Sequence, residues 1–210
     1  MTCPLCFSQH LIPYHSDKQR DYFHCQDCDL VFVPNHQRLP LDLEKAQYDL
    51  HQNSPSDQGY RKFLDKLLIP LVENLKDGDK GLDFGCGPGP TISVMLAERG
   101  FQVSNYDFFY YNQPELLNRQ YDFITCTEVF EHFHRPKQEI ELLTQLLKPK
   151  GVLGVMTKRV IDKQAFANWH YKNDPTHVCF YSEKTFLWIA HTYGFTAKFI
   201  ANDTVLLFKD

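Results

Sequence analysis

The chain has 210 residues, with 22 Lys and Arg against 26 Asp and Glu, a formal net charge of −4 with neutral histidines. With 43 % hydrophobic and 23 % charged residues it has the composition of a folded globular chain, long enough for one catalytic-size domain plus a small appendage. The balance excludes the strong overall positive field of a non-specific nucleic-acid binder and leaves a local basic patch open. The uncharged apolar run Leu67–Val72 falls far short of a bilayer span, so no membrane partner is expected. Residues 1–20 lack a basic start followed by an apolar run, and the cysteines number seven, an odd total. A reducing, cytoplasmic setting is the expectation.

Residues 1–40 read as a small zinc-ribbon-like module. Cys3 and Cys6 form one CxxC knuckle, Cys25 and Cys28 a second, with eighteen residues between the pairs. Four thiolates so arranged satisfy the tetrahedral preference of Zn²⁺ and leave no open position, which makes the expected zinc structural and not catalytic. So short a segment cannot build an adequate core, and the metal would supply folding energy on the order of 10 kcal/mol. Redox-active pairs or plain buried thiols are the alternatives. His10, His15, His24 and His36 lie nearby, as substitute ligands or simply as solvated histidines. Tyr22–His24 and Leu30–Val33 read as strands.

Residues 41–77 are expected to be a linker and a helix. A helical turn near Leu43–Tyr48 is followed by Tyr60, Phe63, Leu64, Leu67, Leu68, Leu71, Val72 and Leu75 at helical spacing. Pro70 is predicted to kink or split this helix, and Gly78 to end it.

From residue 78 to 210 the pattern is that of a nucleoside-binding α/β domain. Leu82–Phe84 reads as a buried strand, Gly85, Gly87 and Gly89 as a tight turn open to a ligand, and Thr91–Arg99 as a helix. A second strand follows and ends on Asp107, a carboxylate placed for ribose hydroxyls. Dinucleotide folds use GxGxxG; here the sixth position is Pro90. Asp83, two residues before the first glycine, would repel a pyrophosphate and suits a ligand carrying an ammonium and a sulfonium.

Leu82-Asp83-Phe84-Gly85-Cys86-Gly87-Pro88-Gly89 resembles the first motif of class I S-adenosylmethionine-dependent methyltransferases. Tyr121–His132, with its Glu128-x-x-Glu131-His132 segment, is similar to the family's fourth strand and the loop after it, and Leu146–Gly151 to the turn before the fifth strand. Some members carry a similar N-terminal CxxC…CxxC module. The resemblance implies a Rossmann-like α/β sheet and S-adenosylmethionine as cofactor. It places Gly85, Cys86 and Gly87 against the methionine part and Asp83 near its ammonium. It places Asp107 on the ribose, Phe108 against adenine, and Thr127 and Glu128 beside the methionine moiety and the acceptor entrance. Phe108 as a core residue, and Cys86 as merely a small residue in a tight loop, are the plainer readings. Fourteen residues separate Asp107 from Asp122, too few for the family's usual helix and third strand, so that strand is expected to be missing or shortened.

Pro136–Leu147 reads as a helix, Gly151–Thr157 as a fifth strand, and residues 158–181 as an aromatic and polar stretch without a repeat. Ser182 should cap a helix over Glu183–Tyr193 that Gly194 closes, before a hairpin of Phe195–Ile200 and Thr204–Phe208. Methyl transfer is an in-line displacement needing alignment and, for some acceptors, removal of a proton. His132 and His177 are the candidate bases, with Glu128 assisting, and structural histidines are the alternative. A small-molecule acceptor is the first expectation. An RNA or protein acceptor gripped by the zinc module is the second, with Arg61, Lys62, Lys66, Lys148, Lys150, Lys158 and Arg159 as a basic rim. A non-catalytic cofactor-binding or interaction protein is the third.

Overall fold

The structure is a computed structural model and describes residues 1–50 and 53–210. The chain runs β1 (Leu11–Ser16), β2 (Asp21–Cys25), β3 (Val31–Phe32), α1 (Leu41–Tyr48), α2 (Gln58–Val72), β4 (Lys80–Phe84), α3 (Thr91–Ala97), β5 (Gln102–Tyr106) and β6 (Tyr121–Thr127). Then come α4 (Pro136–Leu146), β7 (Leu147–Met156), α5 (Lys163–Ala167), β8 (Cys179–Phe180), α6 (Glu183–Tyr193), β9 (Phe195–Ala201) and β10 (Thr204–Lys209).

Six strands form a mixed sheet in the order β5-β4-β6-β7-β10-β9. The first four are parallel; β10 runs antiparallel to both β7 and β9. This is the Rossmann-like α/β sheet expected. Its β5 edge is the end of the sheet among the described residues, as the short 108–121 segment requires. That segment instead makes a 3-10 turn, Pro114–Asn118, which buries Leu116 and offers its carbonyl to the Tyr121 hydroxyl at 2.9 Å.

Each face of the sheet has its own core. On one face Leu64, Leu67, Leu68 and Leu71 of α2 meet Ile92, Met95 and Leu96 of α3 over Phe123, Val152 and Leu206. Each fully buried leucine contributes roughly 1.5–3 kcal/mol before entropy. A Cβ on Gly81 would lie 2.2 Å from the Phe123 ring, so the bare glycine is what lets that ring in. The other face packs Ile140 and Leu143 of α4 and Phe186 and Ile189 of α6 together with the N-terminal module.

Asp57 starts α2 by accepting the Gly59 and Tyr60 N–H groups. The helix is not split at Pro70, which sits in the last turn, where one lost backbone bond ends nothing that Val72 would not end two residues on. Gly78 does not close this helix; at φ 88° it turns the chain toward β4. At α6 the cap forms as expected: Ser182 and Thr185 make a reciprocal capping box and Gly194 takes φ 71°.

The N-terminal strands make a second sheet, β1-β2-β3-β8, whose fourth strand is Cys179–Phe180 from the aromatic stretch. Val33 extends the pairing by donating to the Val178 carbonyl at 2.9 Å. The module and the 170–180 segment are therefore one hydrogen-bonded unit.

Candidate functional site

The carboxyl ends of the parallel strands open into a cleft of about 1110 Å³, where ligands bind in open α/β sheets. Gly85, Cys86, Gly87, Asp107, Phe108, Thr127, Glu128, His132 and His177 all line it. Asp83 and Gly89, expected beside them, lie outside the lining. Gly89 packs against the Asn53 carbonyl, which a Cβ would meet at 2.1 Å.

The turn after β4 is held by two N–H groups, Gly85 and Cys86, that donate to the Tyr106 carbonyl at 2.8 and 3.2 Å. Gly87 sits at φ 64°, and a Cβ there would find no atom within 4 Å, so its backbone faces open cleft. The Gly87 N–H donates to Asp107 Oδ2 at 3.0 Å, while Asp107 Oδ1 accepts from Phe109 and Tyr110. Oδ2 keeps a lone pair for a ligand hydroxyl. Phe108 is exposed and is not a core residue. Burial, then the Asp83 and Asp107 charges, push the Cys86 thiol up, which disfavours its thiolate form.

Asp83 is 2 % exposed beneath this turn and accepts from the Thr125 hydroxyl at 2.8 Å. Burial, reinforced by the Asp107 charge, pushes its carboxyl up to about 7. An acid so held gains from a cation brought close to it.

The opposite wall is a cluster at the end of β6. Glu128 takes φ 54°, a strained setting for a residue with a side chain, and its N–H donates to the Met156 carbonyl at 2.8 Å. Burial raises Glu128 to about 7, and burial plus the Glu128 charge raise Glu131 to about 8. The Tyr171 hydroxyl donates to Glu131 Oε1 at 2.5 Å and lies 3.3 Å from Glu128 Oε2. Glu128 Oε1 and Glu131 Oε2 are buried without a hydrogen-bond partner among the described residues.

His177 Nδ1 lies 2.7 Å from the Tyr171 carbonyl and His132 Nδ1 3.2 Å from the Thr176 carbonyl. A carbonyl only accepts, so both Nδ1 atoms carry a proton. The rings meet edge to face at 4.8 Å. Burial lowers His177 to about 4, which makes it a neutral ligand or acceptor more than a proton acceptor at pH 7. Glu131, His132 and His177 can each turn one donor atom into a common space, all within 4.8 Å of one another. The pattern Glu128-x-x-Glu131-His132 was visible in the chain, but only burial shows that Glu131 belongs to the cluster. Tyr171 had no local signal.

A roof crosses the cleft. The Tyr48 ring of α1 stands edge-on to His132 at 5.2 Å, and the Tyr110 hydroxyl reaches Asp49 at 2.6 Å.

The second metal-competent group is the four N-terminal thiols. Cys3 and Cys28 sulfurs are 3.5 Å apart, Cys6 and Cys25 sulfurs 3.4 Å, and all four lie within 4.8 Å of one another. Ligand sulfurs about 2.3 Å from a tetrahedral Zn²⁺ stand close to this far apart, so the donors fit that ion. His24 and His10 instead pair with Asp29 and Asp27, at 2.9 and 3.2 Å. Among the described residues no helix is long and apolar enough to cross a membrane.

Comparison with known proteins gives the same picture. Residues 57–198 match a family described as a methyltransferase domain. The ubiquinone biosynthesis O-methyltransferase of Escherichia coli O127:H6 is 28 % identical over 125 residues, 52 % of each chain. That of Leptothrix cholodnii is 29 % identical over 105 residues, 39 % of this chain and 45 % of its own. The chain thus spans about half the length of these curated relatives. Among solved structures, the Burkholderia thailandensis 1,6-didemethyltoxoflavin-N1-methyltransferase, with bound substrate and S-adenosylhomocysteine, aligns at TM-score 0.52 and 15 % identity, covering 94 % of this chain and 99 % of its own. CalO1, a methyltransferase in calicheamicin biosynthesis in its SAH-bound form, aligns at 0.52 and 11 % identity, covering 73 % and 55 %. Such identities establish the fold alone, but the family match takes in most of the chain, including the glycine turn and the Glu128–His132 cluster: the chain belongs to the methyltransferase-domain family.

Proposed function

We propose that the chain transfers a methyl group from S-adenosylmethionine to a small-molecule acceptor and releases S-adenosylhomocysteine. The observation that carries this is the pairing, across one cleft, of the glycine turn and Asp107 with the polar wall of Glu128, His132, Tyr171 and His177, with Asp83 and Glu131 buried behind the two walls. The turn would hold the donor: Gly85, Cys86 and Gly87 against its methionine part, Asp83 near the ammonium, Asp107 on the ribose and Phe108 by the adenine. Thr127 and Glu128 stand between the two walls. The acceptor would lie under the Tyr48 roof, with His132 as the candidate base and Glu128 to orient it. The similarity to ubiquinone biosynthesis O-methyltransferases and to a didemethyltoxoflavin methyltransferase supports a small acceptor.

The basic rim imagined for an RNA acceptor supports this less well. Arg61 pairs with Glu98, Lys66 with Asp203 at 2.9 Å, Lys148 with Asp122 at 2.8 Å, and Arg159 donates to the Ala201 carbonyl. A label-transfer assay from methyl-labelled donor into separated metabolite and RNA pools tests the reading. Label in small molecules is expected; label in RNA alone, or no calorimetric binding of S-adenosylhomocysteine, overturns it.

The partnerless carboxylate oxygens favour a cation-assisted form of the same reaction. Glu131, His132 and His177 would hold a divalent cation, with Glu128 beside it. Such an ion lowers the pKa of an acceptor hydroxyl bound to it. Mn²⁺ resonance titrations of the parent and of Glu131→Gln test this; equal weak binding by both removes the ion. Zinc on Cys3, Cys6, Cys25 and Cys28 is proposed as structural.

A further inference from the structure

A buried cation sits at the tip of the β1–β2 hairpin over the Tyr22 ring, and the carbonyls that accept its hydrogen bonds lie in the loop that carries His177. We propose that Arg20 is a positioning residue for the active-site loop 170–178, through which the N-terminal module sets the geometry of Tyr171 and His177. The assignment rests on the placement of those two residues in the methyl-transfer cleft.

Arg20 is 5 % exposed. One terminal nitrogen donates to the Pro175 and His177 carbonyls at 3.0 and 2.9 Å; the other donates to the Asp174 carbonyl at 2.9 Å and to that of Lys172. Its Nε has no partner among the described residues. The planar fork thus gathers four carbonyls from six consecutive residues, a task that an ammonium with three donors on a single nitrogen does not match. Two more carbonyls of the same stretch complete the pattern: Tyr171 accepts from His177 Nδ1 and Thr176 from His132 Nδ1. The peptide groups that orient the two histidines are therefore links in a chain whose other carbonyls are held by Arg20.

The hairpin is itself anchored. Asp17 accepts the Gln19 and Arg20 N–H groups at 2.9 Å each, and its other oxygen accepts from Tyr22 and from Lys172 Nζ at 3.0 and 3.1 Å. Lys172 is thus gripped from both ends, by its carbonyl and by its side chain. Removing the guanidinium leaves buried carbonyls without donors, a cost the loop relieves by turning them to water, which releases the Tyr171 carbonyl from its place.

The test uses the full chain and the variants Arg20→Lys and Arg20→Ala, with three readouts. Amide exchange at His177 and Val178, whose N–H groups donate to Asp174 and Glu131, should accelerate at least tenfold while β4 and β6 are unchanged. Nitrogen NMR of the His177 ring should pass from a single Nδ1–H tautomer to a mixture. S-adenosylhomocysteine affinity by calorimetry should stay within threefold. Folded variants with parental exchange and tautomer overturn the proposal. If neither variant folds, Asp17→Asn keeps the guanidinium but weakens its anchor; three- to fivefold faster exchange in the same peptide supports the proposal, and unchanged exchange refutes it. Loss of the methyl-transfer reading would appear separately, as no nucleoside binding by the parent.

Discussion

Asp83→Asn is the sharpest probe of the donor site. The parental carboxyl titrates at about 7, so half is ionised at pH 7 and about one part in a hundred at pH 5. If the ammonium of S-adenosylhomocysteine binds only above the ionised form, its Kd should weaken roughly 50-fold between pH 7 and pH 5, about 2.3 kcal/mol. The D83N protein has no proton to lose there and should show less than a fivefold change, with weaker binding at pH 7. Calorimetry in two buffers of different ionisation enthalpy also reads the proton released on binding. Stability gives an independent arm. The folded pKa is raised above the ordinary 3.8, so this group's contribution is complete below about pH 4 and is lost as pH rises through 7. The loss is at most about 4 kcal/mol for a shift of this size, and D83N should lack that part of the slope. A parental pH slope for ligand binding retained in D83N would refute the reasoning and pass the dependence to Glu128, which titrates in the same range.

Other perturbations test the remaining geometry. His177→Ala should cut methyl transfer at least tenfold with modest loss of donor binding; undiminished turnover removes it from the site. Atomic emission should find close to one zinc per chain, and Cys25→Ser should lower both that figure and the melting temperature; less than half an equivalent in gently purified parent refutes the structural zinc. Leu67→Ala, at a fully buried position against Gly154, should cost about 2–5 kcal/mol in denaturant melts while leaving donor binding near parental. A cost below 1 kcal/mol would mean that the α2 face is not the core described.

The features legible in the chain were those that local chemistry decides. The glycine turn, the carboxylate after β5 and the Ser182–Gly194 helix limits come from short-range rules, and the missing outer strand from the short 107–122 spacing set against the family that the motifs resemble; each is found in the fold. The features that escaped were set by partners far away in sequence. β1 contains Pro13 and a register shift between Pro13 and His15, which erase any alternation. β8 is two residues long and is a strand only because Val31 and Phe32 lie beside it. Glu131 differs from Glu128 in burial and not in pattern, and Arg20 looks like an ordinary turn residue until residues 172–177 wrap it. Lys150 stands at φ 65°, a left-handed setting that its long side chain does not announce.

The β3–β8 pairing joins positions about 150 residues apart. A ribosome adding roughly 5–20 residues per second emits the closing strand some 7–30 s after the cysteine knuckles. Throughout that delay the nascent hairpin exposes an unpaired edge, the condition under which strands recruit wrong neighbours. If the four thiols hold the zinc proposed for them, early capture of metal would hold the hairpin in register while it waits, and zinc supply during translation would then bear on how much folded protein a cell recovers.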